Sequence, residues 1–343
     1  MGFLVAMCTG TVYASCTAVS EGQQVPALIK RGECFELQGN NQFSDLTVVE
    51  GKMFLKAGIR LDISRRVEIR VQKKGEFGVR GLLSMGDGAV LNLAEFGHLN
   101  VEGELYIKQD SFIAMSRSST LDGPGKVRFF PSSTLKMDRD SVVKVGGMLE
   151  FDHARLESFS ANLENYGSVS IDNESSFLFS GNSDIKNRGR FFMDATSELS
   201  MSDTSRMTNM RLIELSGSVK LSNTASLQNR LMFSLKESSK VEFEDGAYLN
   251  NQHIFNIDGL FDMRSHSRFE NKRNLQIGPE AKLSIYDSST FINTGTVYDR
   301  GLVYIYARDG FLNRNIFYIN DLRQSKDVED ILRKATPKLP VEY

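Results

Sequence analysis

One short phrase recurs eight times in the second half of this chain: an apolar residue, any residue, then asparagine. Successive asparagines are 20 or 22 residues apart. A repeat of this length is typical of stacked coils, in which each turn of the chain buries its apolar side against the neighbouring turns. The repeated asparagines are Asn165, Asn187, Asn209, Asn229, Asn251, Asn271, Asn293 and Asn313.

The apolar position of this phrase continues toward the N-terminus without the asparagine. Counting back from Leu163 in steps of 20 or 22 residues meets an apolar residue each time, at Val143, Leu121, Leu99, Phe77 and Leu55. Upstream, the asparagine position holds other residues, namely Ala57, Val79, Val101, Gly123 and Val145. The repeat therefore extends through both halves of the chain, whereas the asparagine belongs to the second half.

Each coil also contains two pairs of apolar residues that alternate with polar ones, such as Val169 with Ile171 and Phe177 with Phe179. This alternation indicates strands with one face turned inward. Together with the asparagine phrase, the two pairs give three strands per coil. The sequence predicts an all-β fold, a single parallel β-helix (β-solenoid) over residues 46–313, with about 12 coils of 20–22 residues.

The asparagine ladder is interpreted as structural rather than as a ligand site. Stacked asparagines at one corner of the coil hydrogen-bond to one another and to the turn backbone. Asparagine also tolerates the left-handed backbone that sharp corners require.

The repeat breaks at one place, just before the asparagines begin. Regular counting puts Arg155 and Glu157 at inward positions, where unpaired charges are costly to bury. We expect the chain to bulge there so that Leu156 and Phe159 face the core.

The N-terminal residues 1–14 are apolar and end in Val-Tyr-Ala, which fits a secretory cleavage site. The alternative is that these residues form an apolar strand of the N-terminal cap. Residues 15–45 are predicted to be that cap, tied down by a disulfide. Cleavage would leave Cys16 and Cys34, and an even pair in an exported protein indicates a disulfide, with lipidation of Cys16 as the alternative. The expected location is the periplasm, the cell surface or the extracellular space.

The C-terminal residues 314–343 lose the repeat and are predicted to form a second cap. Apolar residues at helical spacing between Lys326 and Ala335, with Ser325 before them and Pro337 after them, predict a short capping helix. No segment after the N-terminus approaches the roughly 20 apolar residues of a membrane helix.

Few residues in this sequence are candidates for a catalytic role. The best local clusters of carboxylates with other titratable groups are Asp138 with Asp140 and Asp152 with His153, and β-helix lyases and hydrolases use such groups. We favour the alternative that they are solvated corner charges beside the register break. The four histidines show no metal-ligand spacing, and no cofactor motif is present.

The total charge is almost balanced, with 41 basic and 43 acidic residues. A balance of this kind gives no indication that nucleic acid or an anionic membrane is the main partner.

The phrase apolar-x-Asn-x-Gly-x-apolar-x-apolar occurs at residues 163–171 and 185–193. It resembles the coils of filamentous-haemagglutinin-type exoproteins and autotransporter passengers. That resemblance covers roughly residues 55–313 and implies a right-handed β-helix used for adhesion or display at a bacterial surface.

Two functions follow as expectations. The first is an exported, non-enzymatic solenoid that acts as an adhesin, spacer or structural subunit, with a surface protein or glycan as ligand or with self-association along the rod. The second is a carbohydrate-active β-helix enzyme.

Overall fold

The computed structural model describes residues 16–63, 66–307, 310–315, 317–319, 322–324, 332, 333 and 336. The chain winds into a parallel β-solenoid of about 14 coils, and its three sheets run along the whole rod. The predicted all-β solenoid with three strands per coil is confirmed. The predicted signal peptide at residues 1–14 lies outside the described residues.

The first sheet contains the asparagine phrase and has 15 strands. Neighbouring strands come from successive coils and pair in parallel. The strands are Thr17–Val19, Cys34–Leu37, Lys52–Leu55, Glu76–Val79, His98–Val101, Thr120–Asp122, Val142–Val145, Asn162–Asn165, Asp184–Asn187, Arg206–Asn209, Ser226–Asn229, Tyr248–Asn251, Arg268–Asn271, Thr290–Asn293 and Phe311–Asn313.

The second sheet follows the first sheet in each full coil and has 14 strands. Its last two strands pair antiparallel, unlike the others. The strands are Arg60–Ile63, Leu82–Met85, Glu104–Ile107, Lys126–Phe129, Met148–Asp152, Ser168–Asp172, Arg190–Met193, Leu212–Leu215, Met232–Leu235, Ile254–Ile257, Asn274–Ile277, Thr296–Asp299, Phe317–Ile319 and Leu322–Gln324.

The third sheet closes each coil and also has 14 strands. The strands are Leu28–Ile29, Leu46–Val49, Glu68–Val71, Val90–Leu93, Phe112–Met115, Thr134–Asp138, Arg155–Phe159, Ser176–Ser180, Glu198–Met201, Ser218–Leu221, Lys240–Phe243, Leu260–Met263, Lys282–Ile285 and Leu302–Ile305.

The interior of the rod is filled by the alternate residues of all three sheets. Aliphatic side chains and phenylalanines occupy these positions with almost no exposure to solvent. Equivalent residues of successive coils stack directly, as Phe129 and Phe151 do with ring centroids 4.6 Å apart. This coil-on-coil packing explains why the apolar columns persist along the sequence.

The sheets begin earlier than the repeat predicts. Residues Thr17–Val19 and Cys34–Leu37 are already paired strands of the first sheet, so the segment predicted as a cap contributes coils. These first coils are shorter than the later ones, since Phe35 pairs directly with both Thr17 and Met53. Their short spacing hides them from a count based on the longer steps of the asparagine phrase, and the rod has more coils than the sequence predicts.

The predicted position of Leu55 in the apolar column is wrong. Phe77 pairs with Met53, and Leu55 pairs with Val79. This coil is longer than the steps of the asparagine phrase, and both Met53 and Leu55 are buried. Since both candidates are apolar and lie on the same face of one strand, the sequence pattern did not distinguish them. It follows that Leu55, and not Ala57, is the upstream equivalent of the asparagine.

The expected register break is only partly right. Leu156 faces the core, but Phe159 is 54% exposed, and the second inward position is Ser158. The strand Arg155–Phe159 pairs with Thr134–Asp138 before it and with Ser176–Ser180 after it. The break therefore comes from shorter corners on both sides of this strand instead of a bulge. Arg155 pairs outside the core with Glu157 at 2.8 Å.

The C-terminal end of the rod is covered by residues that follow the last coil. Leu332 and Arg333 have helical backbone, and Leu332 is buried. The Arg333 guanidinium donates to the carbonyl oxygen of Ala307 at 2.8 Å, and the Ile305 amide donates to the Thr336 hydroxyl at 2.8 Å. Most of the predicted capping helix around residues 326–335 lies outside the described residues.

Candidate functional site

The repeated asparagines form one continuous ladder inside the corner between the first and second sheets. From Asn165 to Asn293, each side-chain Nδ2 donates to the Oδ1 of the asparagine in the next coil, at 2.7–2.9 Å. Each Nδ2 from Asn165 to Asn271 also donates to a backbone carbonyl of the next coil, as Asn209 does to Met232 at 2.7 Å. The asparagines from Asn165 to Asn293 are fully buried, so the ladder faces the interior rather than a ligand.

The expectation that these asparagines supply left-handed backbone is wrong. Among the described residues between Asn165 and Asn313, those with positive φ lie at the other two corners, for example Asn173 and Asp203. The ladder residues end extended strands instead, and some accept a hydrogen bond from the backbone of the following turn, as Asn209 does from Arg211 at 3.1 Å.

The ladder begins abruptly at Asn165. The preceding coil places Val145 in register with it, and Val145 offers no side-chain donor. The Oδ1 of Asn165 is therefore buried without a hydrogen-bond partner. This oxygen is a buried hydrogen-bond acceptor without a donor, at the start of a ladder whose other buried amides are hydrogen-bonded.

The catalytic candidates Asp138 and Asp140 lie at the corner between the third and first sheets. Asp138 ends the strand Thr134–Asp138, and Asp140 follows in the turn with φ +62°. Asp138 borders an open depression of about 450 Å³ on the third sheet, which also includes Arg155 and Glu157.

The candidates Asp152 and His153 lie at a different corner, between the second and third sheets. Asp152 ends the strand Met148–Asp152, and His153 follows it in a turn with φ +50°. Asn173, His153 and Arg128 hydrogen-bond to the Asp152 carboxylate at 3.0, 3.0 and 3.1 Å, and they hold its pKa below the ordinary value. A carboxyl group in this state is poorly suited to act as a general acid.

The structure does not bring the two pairs together. The width of the third sheet separates them, and a four-residue strand is about 13 Å long. The four predicted residues therefore do not form one catalytic cluster in this coil.

One carboxylate beside Asp152 escaped the sequence analysis. Asp172 stands in register with Asp152 on the next coil. Burial raises the pKa of Asp172, as do the nearby charges of Asp194, Glu150 and Asp152. Neighbouring carboxyls with opposite pKa shifts are a feature of acid–base sites. Because the two aspartates are one coil apart in the sequence, the repeat could have predicted that they are neighbours.

A polar groove lies on the outer face of the first sheet, and it holds about 550 Å³. We call it the first-sheet groove. It forms because short side chains, Thr208 and Ser226, lie between longer ones on the coils before and after them. Its walls are made by Asp184, Lys186, Arg206, Gln228, Tyr248 and Asn250.

Two groups of this groove lack a partner among the residues that the structure describes. Arg206 is exposed and forms no ion pair with any of them. Asn250 is only 8% exposed, and its Oδ1 accepts no hydrogen bond from them. An unpaired guanidinium and an unmet amide oxygen give the groove one strong donor set and one free acceptor.

Tyr248 makes one end of the groove and is held in place. Its hydroxyl donates to Glu270 at 2.9 Å, and burial together with this bond raises the pKa of Tyr248 to about 12. Burial opposes ionisation of Glu270, but hydrogen bonds from Tyr248, Arg268 and Lys272 keep its pKa below the ordinary value. The tyrosine therefore stays neutral, with a fixed ring, under ordinary conditions.

The described residues give little indication of a metal site or of a membrane-spanning helix. In the part of the chain that the structure describes, no three histidine, cysteine, aspartate or glutamate side chains are grouped as metal ligands. His98 is instead hydrogen-bonded to Asp122 at 2.8 Å. None of the described helical residues belongs to a segment long and apolar enough to cross a membrane.

The predicted cysteine pair is adjacent in space. Cys16 and Cys34 lie at disulfide-bonding distance, with Cα atoms 4.6 Å apart. Both sit at the N-terminal edge of the first sheet, where Thr17 pairs with Phe35. The pair thus joins the first two coils of the rod.

Comparison with known proteins adds no assignment, since no protein-family model matches this chain and no curated protein matches it significantly.

Proposed function

We propose that the protein is an exported, non-enzymatic surface adhesin that binds an acidic oligosaccharide in the first-sheet groove. The observation that carries this proposal is the pair of unpartnered groups, Arg206 and Asn250, beside the fixed ring of Tyr248. An arginine binds a sugar carboxylate through two parallel hydrogen bonds, and an amide oxygen accepts from a sugar hydroxyl. An aromatic ring packs against the apolar face of a sugar.

The extent of the groove supports an extended ligand. It runs from Asp184 to Tyr248 over three coil steps, which is about 14 Å along the rod. The underlying strands are rigidly paired on both sides, so the side chains are already positioned before a ligand binds.

Export is supported by two observations. Residues 1–14 have the composition of a signal peptide, and Cys16 lies at bonding distance from Cys34. Disulfides persist mainly in oxidising compartments outside the cytosol. The resemblance to filamentous-haemagglutinin-type exoproteins and autotransporter passengers points to the same surface role.

Binding to a panel of acidic and neutral oligosaccharides tests the proposal. We expect the double variant Arg206→Ala with Tyr248→Ala to lose at least about tenfold in affinity for acidic members. The matched control, Arg117→Ala with Tyr298→Ala, removes the same residue types from other parts of the surface and should bind normally. Equal binding by both variants contradicts the groove assignment.

A carbohydrate-active enzyme is the second candidate, favoured by the opposite pKa shifts of Asp152 and Asp172. Its test is an assay on a polysaccharide panel. Cleavage that is lost in both Asp152→Asn and Asp172→Asn, but retained in Asp138→Asn, would support this function over the adhesin.

A further inference from the structure

The near balance of total charge conceals a segregation of charge along one edge of the rod. Seven basic side chains lie at the corner between the first and second sheets, and all are exposed. Most of them follow a ladder asparagine closely in the sequence. This basic edge consists of Arg188, Arg190, Arg211, Arg230, Lys272, Arg273 and Arg314.

The basic edge is almost free of neutralising partners. Lys272 pairs with Glu270 at 3.2 Å. The six arginines form no ion pair with any residue in the described ranges, although Arg188 lies over the ring of Tyr166 and Arg230 donates to Gln228. From Arg188 to Arg314 the edge crosses six coil steps, so the charges extend over about 29 Å along the rod.

A partly exposed aliphatic ladder runs directly beside the basic edge. Leu212, Met232 and Ile254 occupy the same outward position of the second sheet in three successive coils. Met232 is 38% exposed, and Leu231, which precedes it at the corner and which we include in the aliphatic ladder, is 39% exposed. Apolar side chains in a row on an outer sheet face are unusual without a partner surface, because they remain in contact with water.

The rest of this sheet face is nearly uncharged. Between Leu212 and Tyr298, the outward strand positions carry a single ionisable acid or base, Glu214, which pairs with Lys236 at 2.7 Å. Tyr298 is 40% exposed and stacks on Tyr318 of the next coil. The face therefore combines aliphatic, neutral polar and tyrosine side chains beside one cationic edge.

We propose that this face and the basic edge bind an anionic lipid surface. Arginines attract phosphate headgroups, and exposed leucine, methionine and isoleucine side chains enter the boundary between headgroups and acyl chains. Tyrosine is well suited to the same boundary, since its ring is apolar and its hydroxyl is polar.

The aliphatic ladder distinguishes this partner from a soluble polyanion. A linear acidic polysaccharide or a nucleic acid is bound through charge and hydrogen bonds, and gains little from exposed aliphatic side chains. A planar lipid surface uses both features, and an edge that runs along the rod presents several coils to the same plane. The proposal rests on other residues than the first-sheet groove, which lies on another face and meets the edge where Arg230 donates to Gln228.

The experiment is cosedimentation of the full chain with vesicles of phosphatidylcholine, with and without phosphatidylglycerol. We expect at least about tenfold stronger binding when the anionic lipid is present, and weaker binding as salt rises. Equal binding to neutral and anionic vesicles, or binding to neither, overturns the proposal.

Charge reversal locates the contact. The triple variant Arg211→Glu, Arg230→Glu and Arg273→Glu should lose at least about tenfold in vesicle affinity. The control Lys74→Glu, Lys136→Glu and Lys144→Glu changes the net charge equally at exposed positions away from the edge, and should bind like the unmodified chain. An equal loss in the control would mean that only total charge matters, which overturns the assignment.

The aliphatic ladder decides between lipid and soluble polyanions. Leu231→Ser with Met232→Ser should lower vesicle binding severalfold and leave retention on an immobilised acidic polysaccharide unchanged. Full vesicle affinity in this variant, or displacement from vesicles by soluble acidic polysaccharide or DNA alone at low concentration, would assign the edge to polyanions instead. Thermal unfolding of each variant shows whether the rod is intact.

Discussion

The corner between the first and second sheets is built differently in the two halves of the rod. In the N-terminal half, glycines stack on one another, and a Cβ at Gly125 would clash with the carbonyl oxygen of Gly103. In the C-terminal half, the buried asparagines hold the corner from inside, and Arg211, Leu231 and His253 occupy its outer positions.

The difference shows how a corner gains room for side chains. Close backbone stacking leaves no space for a Cβ, whereas an amide ladder reaches the turn backbone through hydrogen bonds and tolerates outer side chains. Gly167 and Gly189 continue the glycine stack through the first two coils of the ladder, and a glycine returns at this position at Gly295. Side chains therefore occupy the outer position from Arg211 to Arg273. Arg211 and Arg273 of the basic edge occupy this second type of corner, whereas Arg188 and Arg190 flank Gly189.

The strongest test of the comparison moves asparagine into the first half. Val101 is buried with Val79 in register, so Val101→Asn leaves a buried amide without partners and should cost about 3 kcal/mol. Val145→Asn instead places a donor beside the unmet Oδ1 of Asn165 and should change stability by less than about 1 kcal/mol. Chemical denaturation of both variants measures the difference, and equal losses would contradict the ladder account.

A second test adds a methyl group to the glycine corner and compares it with a truncation at the asparagine corner. Gly125→Ala forces the backbone of adjacent coils apart and should destabilise the rod by about 2–3 kcal/mol. His253→Ala, at an outer position of the asparagine corner, should stay within about 0.5 kcal/mol of the unmodified chain. A tolerated Gly125→Ala in denaturation would show that the glycine stack is not tightly constrained.

A third test compares positions within the ladder. Asn229→Val removes bonds to Asn209, Asn251 and Ile254 and should cost about 2 kcal/mol. Asn165→Val should cost about half as much, because its own Oδ1 has no bond to lose. Hydrogen exchange of the neighbouring coils localises the effect, and identical losses at both positions would argue against additive bonding along the ladder.

A fourth test concerns the last coils, where the apolar interior of the second half is interrupted. Asp299 takes the inward position that Ile277 holds one coil earlier, and burial raises its pKa to about 7. Because the folded state then binds a proton more tightly than the unfolded chain, local stability should fall as pH rises from about 4 to about 7. Asp299→Asn should remove this dependence, measured by hydrogen exchange in the C-terminal coils.

A few columns of repeated apolar residues and asparagines in the sequence predicted the fold. Counting residues along these columns gave wrong positions where the length of the coil changed. The asparagine phrase and two apolar pairs indicated three strands per coil. Met53 was missed because its coil is longer than the others. Phe159 was placed inward because two shortened corners look like a bulge in the sequence. The period of a sequence pattern measures distance along the chain. Which residues pair in adjacent coils depends instead on how many residues each corner contains.

The candidate sites were less accessible to sequence reasoning. Asp138 and Asp152 are close in sequence but lie at different corners, because they end strands of two different sheets. The groove depends on the size of side chains that are one full coil apart in the sequence, such as Thr208 and Gln228. The basic residues after the repeated asparagines were visible in the sequence, yet their meaning required knowing that they share one edge.

The sequence by itself determined that the chain is a parallel solenoid with an asparagine ladder. A repeated pattern of apolar residues can be buried only if equivalent residues of successive coils stack on one another. Only the tertiary structure decided which outward residues meet. Outward positions carry no periodic constraint, so the groove, the basic edge and the aliphatic ladder exist through the alignment of coils rather than through any local motif.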